Sequence, residues 1–266
     1  MGSYRKENFS TMQVIVSMIS KRMQGVVYTS RQGLTKGMKR KGGLGFIPGG
    51  EDTEEFKFLR SLDFTGKCVY DVGGFQGLLS IFFAKTAKRV ITYEANPANV
   101  LRIYENAALN NLDNVFVRGA AVGSNDGVLK LYYEYPFDGA ATGDPELAGH
   151  MQESGADVHH FSVVMTSLDQ DIARFGLPQP DFIKIDIEAM EVEALRGMAS
   201  TIASRGPDLY VELHGTTKED KCANATDAIN FIRDRGYQIY DVEQRRTITG
   251  DTPTGRESHI HCTRAR

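Results

Sequence analysis

Read by its apolar and polar positions, the chain changes character at Lys67. From there, short apolar runs alternate with stretches of helical period, the pattern of a mainly parallel sheet with helices on its faces. Strands are predicted at 67–72, 89–94 and 114–120. Helices are predicted at 77–87 and 97–110, where Asn96-Pro97 offers an N-cap followed by proline at the first helical position. Val128 to Tyr133 reads as a strand after the Asn125-Asp126-Gly127 turn. Pro136 to His160 keeps no steady period, and a loop of that length inside a domain is expected to be functional, here a lid over the site. The alternation resumes with strand 161–166, helix 167–174, strand 181–187, helix 190–202 and strand 209–213. A helix at 225–235 ends at Gly236, and strands 237–242 and 259–262 supply an antiparallel edge.

Residues 1–64 read as an N-terminal extension of helix and loop, ahead of one domain over 65–266. Ser10 or Thr11 caps a helix running to about Met23. The apolar stretch from Met12 to Ile19 reads as amphipathic and not as a signal peptide, because no small-residue cleavage site follows it. Gly33 to Gly50, rich in glycine and lysine, is predicted as loop lying over the ligand, and Asp52 with Glu55 as a capping box for the next helix.

Composition narrows the picture only a little. With a formal charge of −3, the chain lacks the concentrated positive charge of a dedicated nucleic-acid surface, so no nucleic-acid partner is expected. No apolar run approaches the ~20 residues of a membrane span. Cys68, Cys222 and Cys262 show no metal-type spacing, and their odd number fits a reducing, cytoplasmic setting. Oligomeric state is not written in the sequence.

The chemistry gathers at strand ends. Asp71-Val-Gly-Gly-Phe-Gln-Gly77 joins the first strand to its helix, and the second strand ends in Glu94. Strand, glycine turn, helix, strand and acid make the first βαβ unit of a nucleotide-binding sheet, the acid serving the hydroxyls of a ribose. A dinucleotide fingerprint needs glycine where Val72 stands. Asp71, Gly73 and Gly77 instead meet acid-x-Gly-x-x-x-Gly, which resembles the first motif of S-adenosylmethionine-dependent methyltransferases. Further along, Asp186, Glu188, Glu212 and His214 sit at or just past strand ends, where open parallel sheets bind ligands. Lys184, Asp186 and Glu188 share one side of a strand that should otherwise be apolar, so they either pair or line a cleft. Asp186, Glu188 and His214 are the candidate bases. These ligand types also suit a divalent metal, but sequence does not show that they converge, so a metal is left open and not predicted. His159-His160 is read as an exposed pair.

Several of these segments occur together in one known family. Asp71-Val-Gly-Gly, Tyr93-Glu94-Ala95-Asn96-Pro97, Glu105-Asn106, Ala120-Ala121-Val122-Gly123, Ser167-Leu168-Asp169, Lys184 to Glu188 and Val211 to His214 follow the order and spacing of the FkbM methyltransferases, over about residues 67–215. The resemblance implies a class I, Rossmann-like fold with a mainly parallel seven-stranded sheet. It implies S-adenosylmethionine as methyl donor and O-methylation of a sugar, polyketide or other small molecule. Cofactor contacts are then expected from Asp71, Gly73, Gly74, Phe75, Gln76, Gly77, Glu94, Ala95, Asn96, Ala120 and Ala121. Two departures stand out: Gly74-Phe75 where the family often has Ala-Asn, and Ala189 where it usually has glycine. A scaffold that keeps the fold without turnover is the first alternative, and a nicotinamide-dependent oxidoreductase the second.

Overall fold

The structure is a computed structural model, and it describes residues 25–42, 52–134, 137–143, 145–153, 157–215, 217–250 and 258–264. The expected helix ending near Met23 and the loop from 43 to 50 lie outside these residues. Strands β1 (Val27–Thr29) and β2 (Lys39–Lys41) pair antiparallel, so the Gly33–Gly50 segment predicted as loop carries half of a hairpin. Helix α1 (Glu54–Ser61) is capped by Thr53, whose side chain accepts from the Phe56 backbone N–H. Asp52, expected at the cap, instead pairs with Arg60 at 2.7 Å.

The alternation then runs β3 (Cys68–Val72), α2 (Leu78–Ala84), β4 (Arg89–Tyr93), α3 (Pro97–Leu109) and β5 (Val115–Arg118). An insertion follows: β6 (Ala121–Val122), β7 (Gly127–Glu134), β8 (Phe137–Thr142), α4 (Pro145–Glu153) and β9 (Val158–Thr166). The second half holds α5 (Leu168–Phe175), β10 (Phe182–Ile185), α6 (Glu191–Gly197), α7 (Ala199–Arg205) and β11 (Asp208–Leu213). It closes with α8 (Lys218–Arg233), β12 (Tyr237–Asp241), β13 (Arg246–Thr247) and β14 (Ser258–Arg264).

The main sheet has the order β5-β4-β3-β10-β11-β14-β12-β13. Strands β5, β4, β3, β10 and β11 are parallel neighbours, and β14 runs antiparallel between β11 and β12. Chain order reverses at the β3–β10 boundary, which is where an open sheet of this kind parts to admit a ligand. Both faces are covered, so β3 is buried at every position. On one face Tyr70, Val72 and Ile91 meet Leu168, Leu195 and Ile229 from α5, α6 and α8. On the other, Val69, Val90 and Phe182 meet Ile81 and Ile103 from α2 and α3, together with Leu34, Met38 and Leu59 from the N-terminal segment.

The insertion forms its own sheet, ordered β6-β9-β7-β8, with β7 paired along most of β9. The aperiodic stretch 136–160 therefore holds a strand and a helix where a lid loop was expected. Two other boundaries move. The helix expected at 190–202 breaks at Met198 into α6 and α7. The helix expected from Ala225 starts at Lys218, behind a capping box in which Thr217 and Asp220 satisfy each other's backbone N–H. Among the described residues, no helix is long and apolar enough to cross a membrane.

Candidate active site

A cleft of about 250 Å³ opens at the carboxyl ends of β3, β4 and β10. Gly73 and Phe75 from the glycine turn, Glu94, Ala95 and Asn96 after β4, and Ala120 and Ala121 after β5 form one side. Asp186 and Glu188 after β10 form another, and Leu129, Leu131 and Ala141 of the inserted sheet make an apolar wall.

The turn is held by its neighbour strand, since the Gly73 and Gly74 N–H groups both donate to the Tyr93 carbonyl at 2.9 and 3.0 Å. Gly73 adopts φ +86°, and a Cβ there would lie 1.8 Å from the Asp186 carbonyl oxygen. Only glycine lets β3 and β10 approach this closely. Gly74 is small for a different reason: a Cβ would strike Thr92 Cγ2 at 2.2 Å, behind the cleft. Of the predicted cofactor residues, Asp71, Gly74, Gln76 and Gly77 do not line the cleft, whereas the other seven do. Asp71 is fully buried, accepts from Ser80 Oγ at 2.5 Å and lies 3.6 Å from Lys184 Nζ. Its role is to anchor Lys184 and α2 beneath the turn.

Glu94 joins the two loops that flank it. Oε2 accepts from the Phe75 N–H at 2.7 Å and Oε1 from the Asn96 N–H at 2.8 Å. Burial raises its pKa against these hydrogen bonds. Each carboxylate oxygen offers two acceptor positions, so capacity remains for a ligand hydroxyl.

The later strand ends converge on one ionic network. Lys184 Nζ reaches Asp186 Oδ2 at 2.9 Å and the Gly73 carbonyl at 3.0 Å. Burial pulls Lys184 down, but Asp186 and Asp71 outweigh it and hold the ammonium above its ordinary range. His214 Nδ1 lies 2.9 Å from Oε1 of the fully buried Glu191. Its Nε2 faces Glu212 at 3.4 Å and Asp186 at 3.8 Å. Burial opposes the charge on this ring too, yet Glu191 and Glu212 push its pKa up to about 11. A group that stays protonated at neutral pH cannot accept the proton of an acceptor. The carboxylate neighbours that favour the protonated ring thus count against His214 as a base, and sequence alone does not reveal them.

Glu188 is the contrasting group. It is exposed at the cleft, and among the described residues no hydrogen bond or ion pair engages it. Partial desolvation, with Asp186 and Glu212 nearby, raises its pKa despite His214. The turn that presents it is strained, for Glu188 and Ala189 both take positive φ, +51° and +72°. Phe75, across the cleft, takes φ +46°. Left-handed backbone at non-glycine residues gathers at sites that need a particular side-chain direction. Sequence reasoning missed Glu191, His259 and Glu243. His259 pairs with Glu212 in β-ladder register, and Glu243 meets its Nδ1 at 2.6 Å. The alternation of Ser258, Ile260 and Cys262 as buried positions left His259 unremarked. His159 and His160 lie on exposed positions of β9, away from the cleft.

Comparison with known proteins adds a family. The methyltransferase FkbM domain model matches residues 71–239. No curated protein matches the chain. Among solved structures, a methyltransferase FkbM from Methylobacillus flagellatus KT aligns at 19% identity and TM-score 0.48, over 76% of this chain and 45% of that one. This chain thus spans under half the length of that relative. A ribosomal protein L11 methylase from Lactobacillus delbrueckii subsp. bulgaricus aligns at 14% identity and TM-score 0.47, over 80% of this chain and 77% of that one. A putative methyltransferase from Streptococcus mutans, solved with S-adenosylhomocysteine, aligns at 10% identity and TM-score 0.45, over 79% and 94%.

Proposed function

Because this chain belongs to the FkbM methyltransferase family, with its model matched over residues 71–239, we propose that it O-methylates a small-molecule hydroxyl acceptor. The reading rests on one observation above others: Glu188, a carboxylate with a raised pKa and no partner among the described residues, faces the same cleft as Glu94. The class I fold supplies the frame, and S-adenosylmethionine supplies an electrophilic methyl group when bound. Gly73 and Phe75 would hold its amino-acid end, Glu94 its ribose and Asn96, Ala120 and Ala121 its base. The cradle fits such a group, because Glu94, which accepts from Phe75, Asn96 and Asn99, keeps one acceptor position on Oε2 at the cleft.

The acceptor enters against Leu129 and Leu131, which exclude water from that side. Glu188 takes the hydroxyl proton as the oxygen attacks. Lys184 keeps Asp186 in place at 2.9 Å, so the two carboxylates have separate duties: Asp186 positions and Glu188 deprotonates. Incubation with deuteromethyl cofactor and a panel of hydroxyl acceptors, followed by mass spectrometry, tests the reading. Labelled small-molecule product is the expected result. Label on protein or nucleic acid would redirect the acceptor class, and cofactor binding without transfer would favour a scaffold. Glu188→Gln should lower turnover ~100-fold or more at unchanged cofactor affinity; near-normal turnover would remove Glu188 as the base.

A further inference from the structure

The carboxylates around His214 outnumber the cations available to them. Glu55, Asp186, Glu188, Glu191, Glu212 and Glu243 gather near β10, β11 and β14, and among the described residues Lys184, His214 and His259 oppose them. Glu191 is fully buried, Glu188 is exposed and the other four are half-buried, and even that partial burial is costly unless another cation joins.

The donor geometry says where. Asp186, Glu212 and His214 each place one ligand atom within 4.8 Å of the others. His214 Nε2 makes only long ion-pair contacts, with Glu212 Oε1 at 3.4 Å and Asp186 Oδ1 at 3.8 Å. Those spacings are long for hydrogen bonds. They fall close to the roughly 3–3.6 Å that separates ligand atoms sharing one ion at bond lengths of about 2.0–2.2 Å. The other ring nitrogen is already committed: Nδ1 meets Glu191 at 2.9 Å, and Glu191 is itself held by Asn224 Nδ2 at 2.7 Å. A carboxylate behind Nδ1 fixes the tautomer that turns a lone pair on Nε2 toward a metal.

We propose that Asp186, Glu212 and His214 bind a divalent first-row metal ion at the edge of the cleft. One imidazole with two carboxylates suits manganese, iron or zinc better than calcium. In such a complex the ion would sit among the three side chains, and the residual negative charge of the network would fall. Asp186 is shared between this trio and the cleft wall, so an acceptor oxygen on the ion would lie beside Glu188 with its pKa lowered. That last consequence rests on the proposed methyl transfer, whereas the binding site does not.

Metal-free full-length protein titrated with Mn²⁺ and followed by electron paramagnetic resonance tests the site. Loss of the aquo-ion signal at about one equivalent is expected, with a pulsed-resonance coupling to imidazole nitrogen. Asp186→Asn, Glu212→Gln and His214→Gln should each weaken binding at least tenfold, with circular dichroism unchanged from the parent. Glu193→Gln, whose carboxylate pairs with Arg196 along α6, should bind Mn²⁺ as the parent does. If one of the ligand variants fails to fold, the nitrogen coupling in the parent decides the matter. Absent binding, binding without nitrogen coupling, or equal binding in all folded variants would overturn the site. Methyl transfer that survives chelation, with no Mn²⁺ bound, would sink the metal and leave the proposed reaction standing; Mn²⁺ bound by these ligands with no transfer to any acceptor would do the reverse.

Discussion

Glu94 shows how one side chain can serve two masters. Its carboxylate receives the N–H groups of Phe75 and Asn96, so it fixes both loops that line the cleft before any ligand arrives. Replacing it by alanine should weaken S-adenosylmethionine binding by about 1.5–3 kcal/mol, the range for hydrogen bonds to a charged group, as read by calorimetry. The pH dependence follows from burial, which raises the pKa of Glu94. Affinity is full where the carboxylate is ionised and is lost as pH falls through that raised value, earlier than for an ordinary glutamate. The alanine variant should show no such slope; an equal slope in both would assign the titration to another group. Ala189 bears on the opposite property, stability. At φ +72° its Cβ is strained, and the FkbM pattern itself favours glycine there. Ala189→Gly should raise stability by ~0.5–1 kcal/mol in urea unfolding, after the extra unfolded-state freedom of glycine is discounted. A lowered midpoint would mean that the turn is not held under strain. At this scale the sequence disclosed which residues carry charge at strand ends. It could not disclose that Glu191 stands behind His214, because that contact joins a helix to a strand that the chain order does not pair.

Between elements, a close approach joins helix α6 to the inserted sheet. Gly197 at the end of α6 lies against Gly123, just past β6, and a Cβ at position 197 would come within 1.9 Å of the Gly123 carbonyl oxygen. That backbone cannot retreat without moving β6 and its partner β9, which form the base of the inserted sheet. Gly197→Ala should therefore cost about 1–3 kcal/mol by overpacking, and it should also loosen the Leu129–Leu131 wall of the cleft. Urea unfolding checks the first effect and acceptor KM the second; an unchanged midpoint would show that α6 and the inserted sheet are not rigidly joined here. The same elements mark where pattern reading succeeds and fails. The strands of the main sheet were legible because burial on both faces makes them short apolar runs, β3 and β10 above all. The stretch containing β8 and α4 was not, since β8 (Phe137–Thr142) carries glycine and consecutive alanines and has no strong period of two. Thr217 and Asp220 had the spacing of a capping box, and that signal would have put the start of α8 seven residues earlier.

Taken as a whole, the chain is more continuous than a division at residue 64 implies. Leu34, Met38, Leu59 and Phe64 are all nearly or wholly buried, and they pack with Val69, Phe83 and Phe182 on one face of the main sheet. Phe58 stacks on Tyr210 and Tyr240, which ties α1 to the strands on the far side of β10. The hairpin is bound as well: Lys41 N–H donates to Asn106 Oδ1 at 2.7 Å, and Asn106 Nδ2 donates to the Gln76 carbonyl at 2.8 Å. One buried asparagine thus links the N-terminal segment to the loop that would hold the cofactor. The parallel sheet needs cover on both faces, and α2 and α3 do not close this one alone. Burying a large apolar side chain stabilises by roughly 1.5–3 kcal/mol, so these four together are worth on the order of 6–12 kcal/mol. Whole domains are stable by only about 5–15 kcal/mol. A chain of residues 65–266 should therefore fail to fold cooperatively, showing a broad thermal transition, dye binding to exposed apolar surface and no measurable affinity for S-adenosylmethionine. A sharp transition with cofactor affinity intact would instead make the first 64 residues a dispensable cover. The energetic balance favours the first outcome, because the segment completes a core face that α2 and α3 cover only in part.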